Sequence, residues 1–63
     1  MKKQHYKAGD RVVIKIAGTL TSTATLLRDP YISNLKQECV YVDVDNEIGE
    51  RYIYTEEIVG YET

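Results

Sequence analysis

The sequence predicts a small all-β fold: a five-stranded barrel with one short helical turn before its last strand. Three observations predict it. Short runs rich in β-branched residues alternate apolar and polar side chains with a period of two. Turn signals separate these runs at regular spacing. Near the end, a polar Thr55-Glu56-Glu57 step interrupts two apolar runs, the order strand, helical turn, strand.

Met1 to Tyr6 is basic and polar with no periodicity, and is expected to be a flexible lead to a single domain over residues 7–63. Ala8-Gly9-Asp10 reads as a turn into Arg11–Ile16. There Val12, Ile14 and Ile16 share one face, and Arg11, Val13 and Lys15 the other, the pattern of a half-buried strand. Gly18 marks the next turn. In the run that follows, Thr21, Thr23 and Thr25 oppose Leu20, Ser22, Ala24 and Leu26. A threonine ladder suits the solvent face of a sheet, because the branched Cβ fits the pleat and the hydroxyl stays wet.

Arg28 to Gln37 is irregular. Pro30 cannot donate to a ladder and keeps Asp29 extended. Ser33 is positioned to cap a helical turn over Asn34 to Gln37. In the next strand Val40, Val42 and Val44 face one way and Cys39, Tyr41 and Asp43 the other, so Cys39 is expected half-exposed. Asp45 to Gly49 is a polar turn, and Arg51 to Tyr54 returns as a hairpin. Either Ile53 or the pair Tyr52 and Tyr54 faces the core, and alternation alone leaves that choice open. Ile58 re-enters the core, and Val59 to Tyr61 complete the fifth strand.

At 63 residues the chain is near the lower size limit for folding without disulfides or metal. A single cysteine excludes an internal disulfide and fits a reducing cytosol. With no apolar run long enough for a membrane span, the expectation is a soluble cytoplasmic protein without membrane partners. The net charge of −2 hides an asymmetry. Residues 1–36 hold seven basic groups against two acids, and residues 37–63 hold Arg51 against eight acids. In a barrel the first and last strands are neighbours, so the halves are expected to neutralise each other across that seam. The functional alternative is a dipolar surface that orients the protein on a charged partner.

Three elements together resemble SH3-like barrels of the KOW and Tudor type. They are the entry Ala8-Gly9-Asp10-Arg11-Val12-Val13, the strand Val40-Tyr41-Val42 and the closing Tyr54-Thr55-Glu56-Glu57-Ile58. The resemblance spans Ala8 to Tyr61 and implies an SH3-like barrel. In size and style the chain is also similar to small stand-alone phage and prophage proteins. It departs from signalling SH3 domains, having no tryptophan and no ALYDY-like run, so proline-rich peptide binding is not implied. Gly18-Thr19 matches the glycine-centred turn of KOW modules only loosely, which removes the basis for carrying over their RNA contacts.

No catalytic, cofactor or metal constellation emerges. Asp43-Val44-Asp45-Asn46-Glu47 has the acidic spacing of a calcium loop, but Ile48 and Tyr54 occupy the positions where an EF-hand needs glycine and glutamate. His5 and Cys39 cannot fill a zinc site between them. Adjacent Glu56 and Glu57 splay on a helical turn rather than share a proton.

Six tyrosines with no Phe or Trp are the compositional oddity, and tyrosine suits interfaces and base stacking alike. Tyr31, Ile32 and Leu35 either plug a barrel end or form a contact patch. The expectation is a non-enzymatic module that binds a cytosolic protein, as a phage-type inhibitor or adaptor of a host protein that handles nucleic acid. Its contact residues would be Tyr31, Ile32, Leu35, Tyr41, Asp43, Asp45, Glu56 and Glu57. The alternative is nucleic-acid binding through Lys2, Lys3, Lys7, Arg11, Lys15 and Arg28. Self-association through an open barrel edge is compatible with both.

Overall fold

A computed structural model describes residues 5–62. Six strands form one curled antiparallel sheet: β1 Arg11–Ala17, β2 Leu20–Leu26, β3 Tyr31–Ile32, β4 Glu38–Val44, β5 Glu50–Tyr54 and β6 Ile58–Tyr61. A 3-10 turn over Thr55–Glu57 joins β5 to β6, as the polar step predicted. The sheet runs β3-β4-β2-β1-β6, with β5 on the other edge of β4. The result is a small all-β half-barrel compatible with an SH3-like barrel, in which the first and last long strands pair.

The core follows the alternation. Val12 and Ile14 from β1, Ala24 and Leu26 from β2, and Val40, Val42 and Val44 from β4 are buried together with Ile53 and Ile58. Ile53 therefore takes the core position on β5, leaving Tyr52 exposed and Tyr54 half-buried. Two bulges turn apolar residues outward. The β1–β6 register passes from Val13↔Gly60 to Ile14↔Ile58, so Val59 has no partner and stays exposed. A second irregularity between Lys15 and Ala17 closes the β1–β2 hairpin, leaving Leu20 exposed at its tip rather than inside.

The irregular segment departs from expectation. It holds a short strand, β3, and no helical turn. Ser33 N–H donates to the Gln37 carbonyl at 2.8 Å, and Lys36 N–H to the Ser33 carbonyl at 2.9 Å. Lys36 itself has φ +62°, outside the helical region, so these bonds close a tight turn between β3 and β4. β3 continues the line of β2 along the same edge of β4. From Leu26↔Val42 to Tyr31↔Cys39 the chain takes five steps against three on β4, so Leu27–Pro30 stand opposite only Val40 and Tyr41. Proline sits in this interruption, where no ladder donor is needed.

That interruption is pinned at both ends. Leu27 N–H donates to the Tyr41 carbonyl at 2.9 Å. Asp29 accepts from Ala8 N–H at 2.9 Å, tying it to the Lys7–Asp10 turn. Gly9, at φ +91°, supplies the left-handed residue of that turn and donates to the Leu26 carbonyl at 2.8 Å. Most of the sequence-predicted lead lies outside the described residues. Tyr6, its last residue, is half-buried against the core, with its ring 5.3 Å from that of Tyr61.

Candidate functional site

The outward face of the β4–β5 hairpin is a ladder of three rungs: Cys39↔Tyr54, Tyr41↔Tyr52 and Asp43↔Glu50. Inward valines dictate this parity, because neighbouring residues on a strand point to opposite faces. β3 extends the first rung, since Tyr31 pairs with Cys39 on its other side. Three tyrosines thus meet around one cysteine. The Tyr31 and Tyr52 ring centroids are 6.5 Å apart, and those of Tyr41 and Tyr52 are 5.1 Å apart, both tilted.

Cys39 is fully buried, not half-exposed as its outward parity suggested. Tyrosines on both flanking strands cover it, and Tyr52 Oη lies 2.8 Å from its Sγ. That contact, then the neighbouring Tyr31 hydroxyl and burial, push the Tyr52 phenol well above its ordinary range. Interaction with Tyr31 also raises the Tyr41 phenol. The raised phenols of Tyr41 and Tyr52 stay neutral hydrogen-bonding groups near neutral pH. The Arg28 guanidinium, held out by the pinned interruption, sits over the Tyr41 ring at 5.8 Å from its centroid.

Tyr52 and Tyr31 remain 46% and 43% exposed. The cluster is therefore an accessible aromatic face on the convex side of the sheet. Ile32 and Leu35, at 63% and 77% exposed, do not plug the barrel. They lie apart from the rings: Ile32 takes the parity opposite to Tyr31, and Leu35 stands in the turn before β4.

The acidic residues expected to act together are divided among three places. Asp43 stands one rung from Tyr41 and directly opposite Glu50. Asp45 belongs to another structure, a bidentate pair with Arg11 at 2.7 and 3.0 Å. Arg11 also reaches Glu62 at 2.8 Å and Thr25 at 2.8 Å, and the Thr23 hydroxyl donates to Asp45. Arg11 and Thr23 together hold the Asp45 carboxyl far below the usual carboxylate range. Glu56 and Glu57 lie in the 3-10 turn at the other end of β4, where the Thr55 hydroxyl donates to Glu38 at 3.0 Å.

The basic candidates are not gathered either. Lys2 and Lys3 lie outside the described residues. Arg11 is engaged by two carboxylates: Glu62 across the seam of first and last strands, where mutual neutralisation was expected, and Asp45 from the end of β4, across β2. Lys15 is exposed towards the far end of β1, Lys7 belongs to the entry turn, and Arg28 rests on Tyr41. The threonine ladder also differs from a wet face, since the Thr23 and Thr25 hydroxyls are bound into the Arg11 network.

Sequence reasoning did not select Tyr52 or Glu50. The signal was present in parity: once Tyr41 faces outward, its hairpin partner does too. Counting across the Asp45–Gly49 turn gives that partner as Tyr52. Among the described residues no group of three His, Cys, Asp or Glu side chains is arranged to hold a metal ion. No described helix is long and apolar enough to cross a membrane. No protein-family model matches this chain, no curated protein matches it, and no solved structure matches it.

Proposed function

We propose that this chain is a non-enzymatic binding module that holds a protein partner on the face formed by Tyr31, Tyr41 and Tyr52. One observation carries the reading: the rings of Tyr31 and Tyr41 both pack on that of Tyr52, and Tyr31 and Tyr52 are each over two-fifths exposed on adjoining strands of the sheet. Tyrosine provides large contact area with few rotors to freeze and is enriched at interface centres. A convex aromatic face suits a macromolecule, whereas small ligands take concave, enclosing sites. Function as a cytosolic inhibitor or adaptor, and kinship with KOW/Tudor-type barrels or phage proteins, are the finer forms of this proposal. The nucleic-acid alternative is weaker, because Arg11 is engaged by Asp45 and Glu62.

A tagged pull-down from native lysate, run with and without nuclease, tests the proposal. The expected outcome is one stoichiometric protein that survives nuclease and is lost with Tyr52→Ala. Retained nucleic acid, with proteins released by nuclease, would move the answer to the basic side chains.

A further inference from the structure

We propose that the tyrosine face takes a basic, extended segment of the partner, with an arginine laid against Tyr52 and paired to Asp43 and Glu50. This rests on the binding-module reading and adds the partner's chemistry to it.

Charge complementarity is the argument. Asp43 and Glu50 are exposed and directly opposed across the hairpin, an arrangement that destabilises a sheet. Among the described residues neither forms an ion pair; the three pairs present engage Arg11 with Asp45 and Glu62, and Arg51 with Glu47. Arg11 is two strands away, with Thr25 pairing both it and Asp43. Its guanidinium nonetheless turns to Thr25, Asp45 and Glu62. Among the described residues the opposed acids are therefore left without a cation, one rung from a half-open aromatic ring.

The molecule already shows the missing chemistry next door. Arg28 rests its guanidinium on Tyr41, while among the described residues no cation covers Tyr52. Adjacent rungs on one sheet face are separated by about 7 Å. An arginine lying along the hairpin from Tyr52 therefore reaches the carboxylates with its planar fork while its stem stays on the ring. A phosphate backbone in the same position would meet two like charges.

The test titrates the 15N-labelled full chain with three probes: a capped arginine–glycine repeat peptide, its glutamate–glycine counterpart and an oligo-dT strand. The arginine peptide is expected to give saturable, salt-sensitive shifts at the Asp43, Glu50 and Tyr52 amides. The double variant D43N/E50Q should weaken it about ten-fold. Arg28→Ala should strengthen it, by removing a like charge and freeing the Tyr41 ring. An unchanged affinity in D43N/E50Q, a loss in Arg28→Ala, or saturable binding only of the glutamate peptide or oligo-dT would each overturn the inference.

The lysate pull-down separates this failure from the broader one. A partner lost with Tyr52→Ala but kept by D43N/E50Q overturns the arginine assignment and leaves the module intact. A partner kept by both overturns the module itself. Tyr31→Ala, at the rim of the same cluster, serves in the pull-down if Tyr52→Ala does not fold.

Discussion

At the Arg11 corner one guanidinium holds Asp45, Glu62 and the Thr25 hydroxyl, and the Thr23 hydroxyl donates to Asp45, joining β1, β2, the end of β4 and the end of β6. On the neighbouring β4–β5 hairpin, Asp43 faces Glu50 across the ladder with no cation among the described residues, beside exposed tyrosines. Both regions lie on the convex face of one sheet. The first uses opposite charges to join strands distant in sequence; the second leaves like charges and aromatic surface open. The difference teaches that acidity alone does not say whether a carboxylate is left open or is held inside the fold. Asp45 carries the same charge as Asp43, two residues away, but its oxygens are already satisfied.

The largest expected effect tests the open side. Tyr52→Ala removes the centre of the aromatic cluster and the group over Cys39, and should weaken partner binding by at least about thirty-fold, as interface hot spots do. The same variant should let a thiol reagent reach Cys39 in the folded state, whereas the wild-type thiol reacts only on opening. A Cys39 equally protected in Tyr52→Ala would show that other groups cover it.

The reverse pattern is expected at the closed side. Arg11→Ala leaves Asp45 and Glu62 without their cation and should lower Tm by several degrees, with partner affinity unchanged. An Arg11 variant with wild-type Tm and lost binding would exchange the roles of the two regions.

pH sharpens the contrast. The Asp45 carboxyl is depressed in the folded state, so its stabilising contribution is present above its unfolded value of about 3.9 and is lost as pH falls towards the lower folded value. Urea midpoints should therefore drop below pH ~4 more steeply in the wild type than in Asp45→Asn. The tyrosine face answers at the other end of the scale. Tyr41 and Tyr52 are raised, so their neutral forms contribute fully below pH ~10 and less as pH climbs through the folded values. Ultraviolet titration should show these phenols ionising late, and Cys39→Ala should bring Tyr52 back towards its ordinary range.

The smallest effect is a gain. Replacing the opposed acids, in D43N/E50Q, relieves a like-charge rung and should stabilise the fold by about 0.2–1 kcal/mol while weakening binding. Denaturant midpoints measured at low salt check it. A loss of stability would mean that the rung has a structural role of its own.

Much of this was legible in the chain. The inward set Val12, Ile14, Val40, Val42 and Val44, the outward Tyr41 and Asp43, and the 3-10 turn over Thr55–Glu57 all follow from period-two alternation and turn chemistry. The illegible part concerns side chains whose partners are remote. Thr23 and Thr25 read as a wet face because nothing near them in sequence announces Arg11 and Asp45. Ser33 read as a helix cap because a capping serine and a turn serine look alike locally; the short pairing of β3 with β4 decided the matter.

By itself, the sequence determined the all-β fold, its five longer strands and the inward parity of Val12, Ile14, Val40, Val42 and Val44. These are local properties: alternation has a fixed period, and glycines and polar turns mark where each strand ends. Only the tertiary structure decided which charges neutralise each other, that Cys39 is buried, and that Tyr31, Tyr41 and Tyr52 form one face. Each depends on registers between strands far apart in sequence, and on the two bulges and the Leu27–Pro30 interruption that offset them. A one-residue change in any such register would send the same side chains to different neighbours.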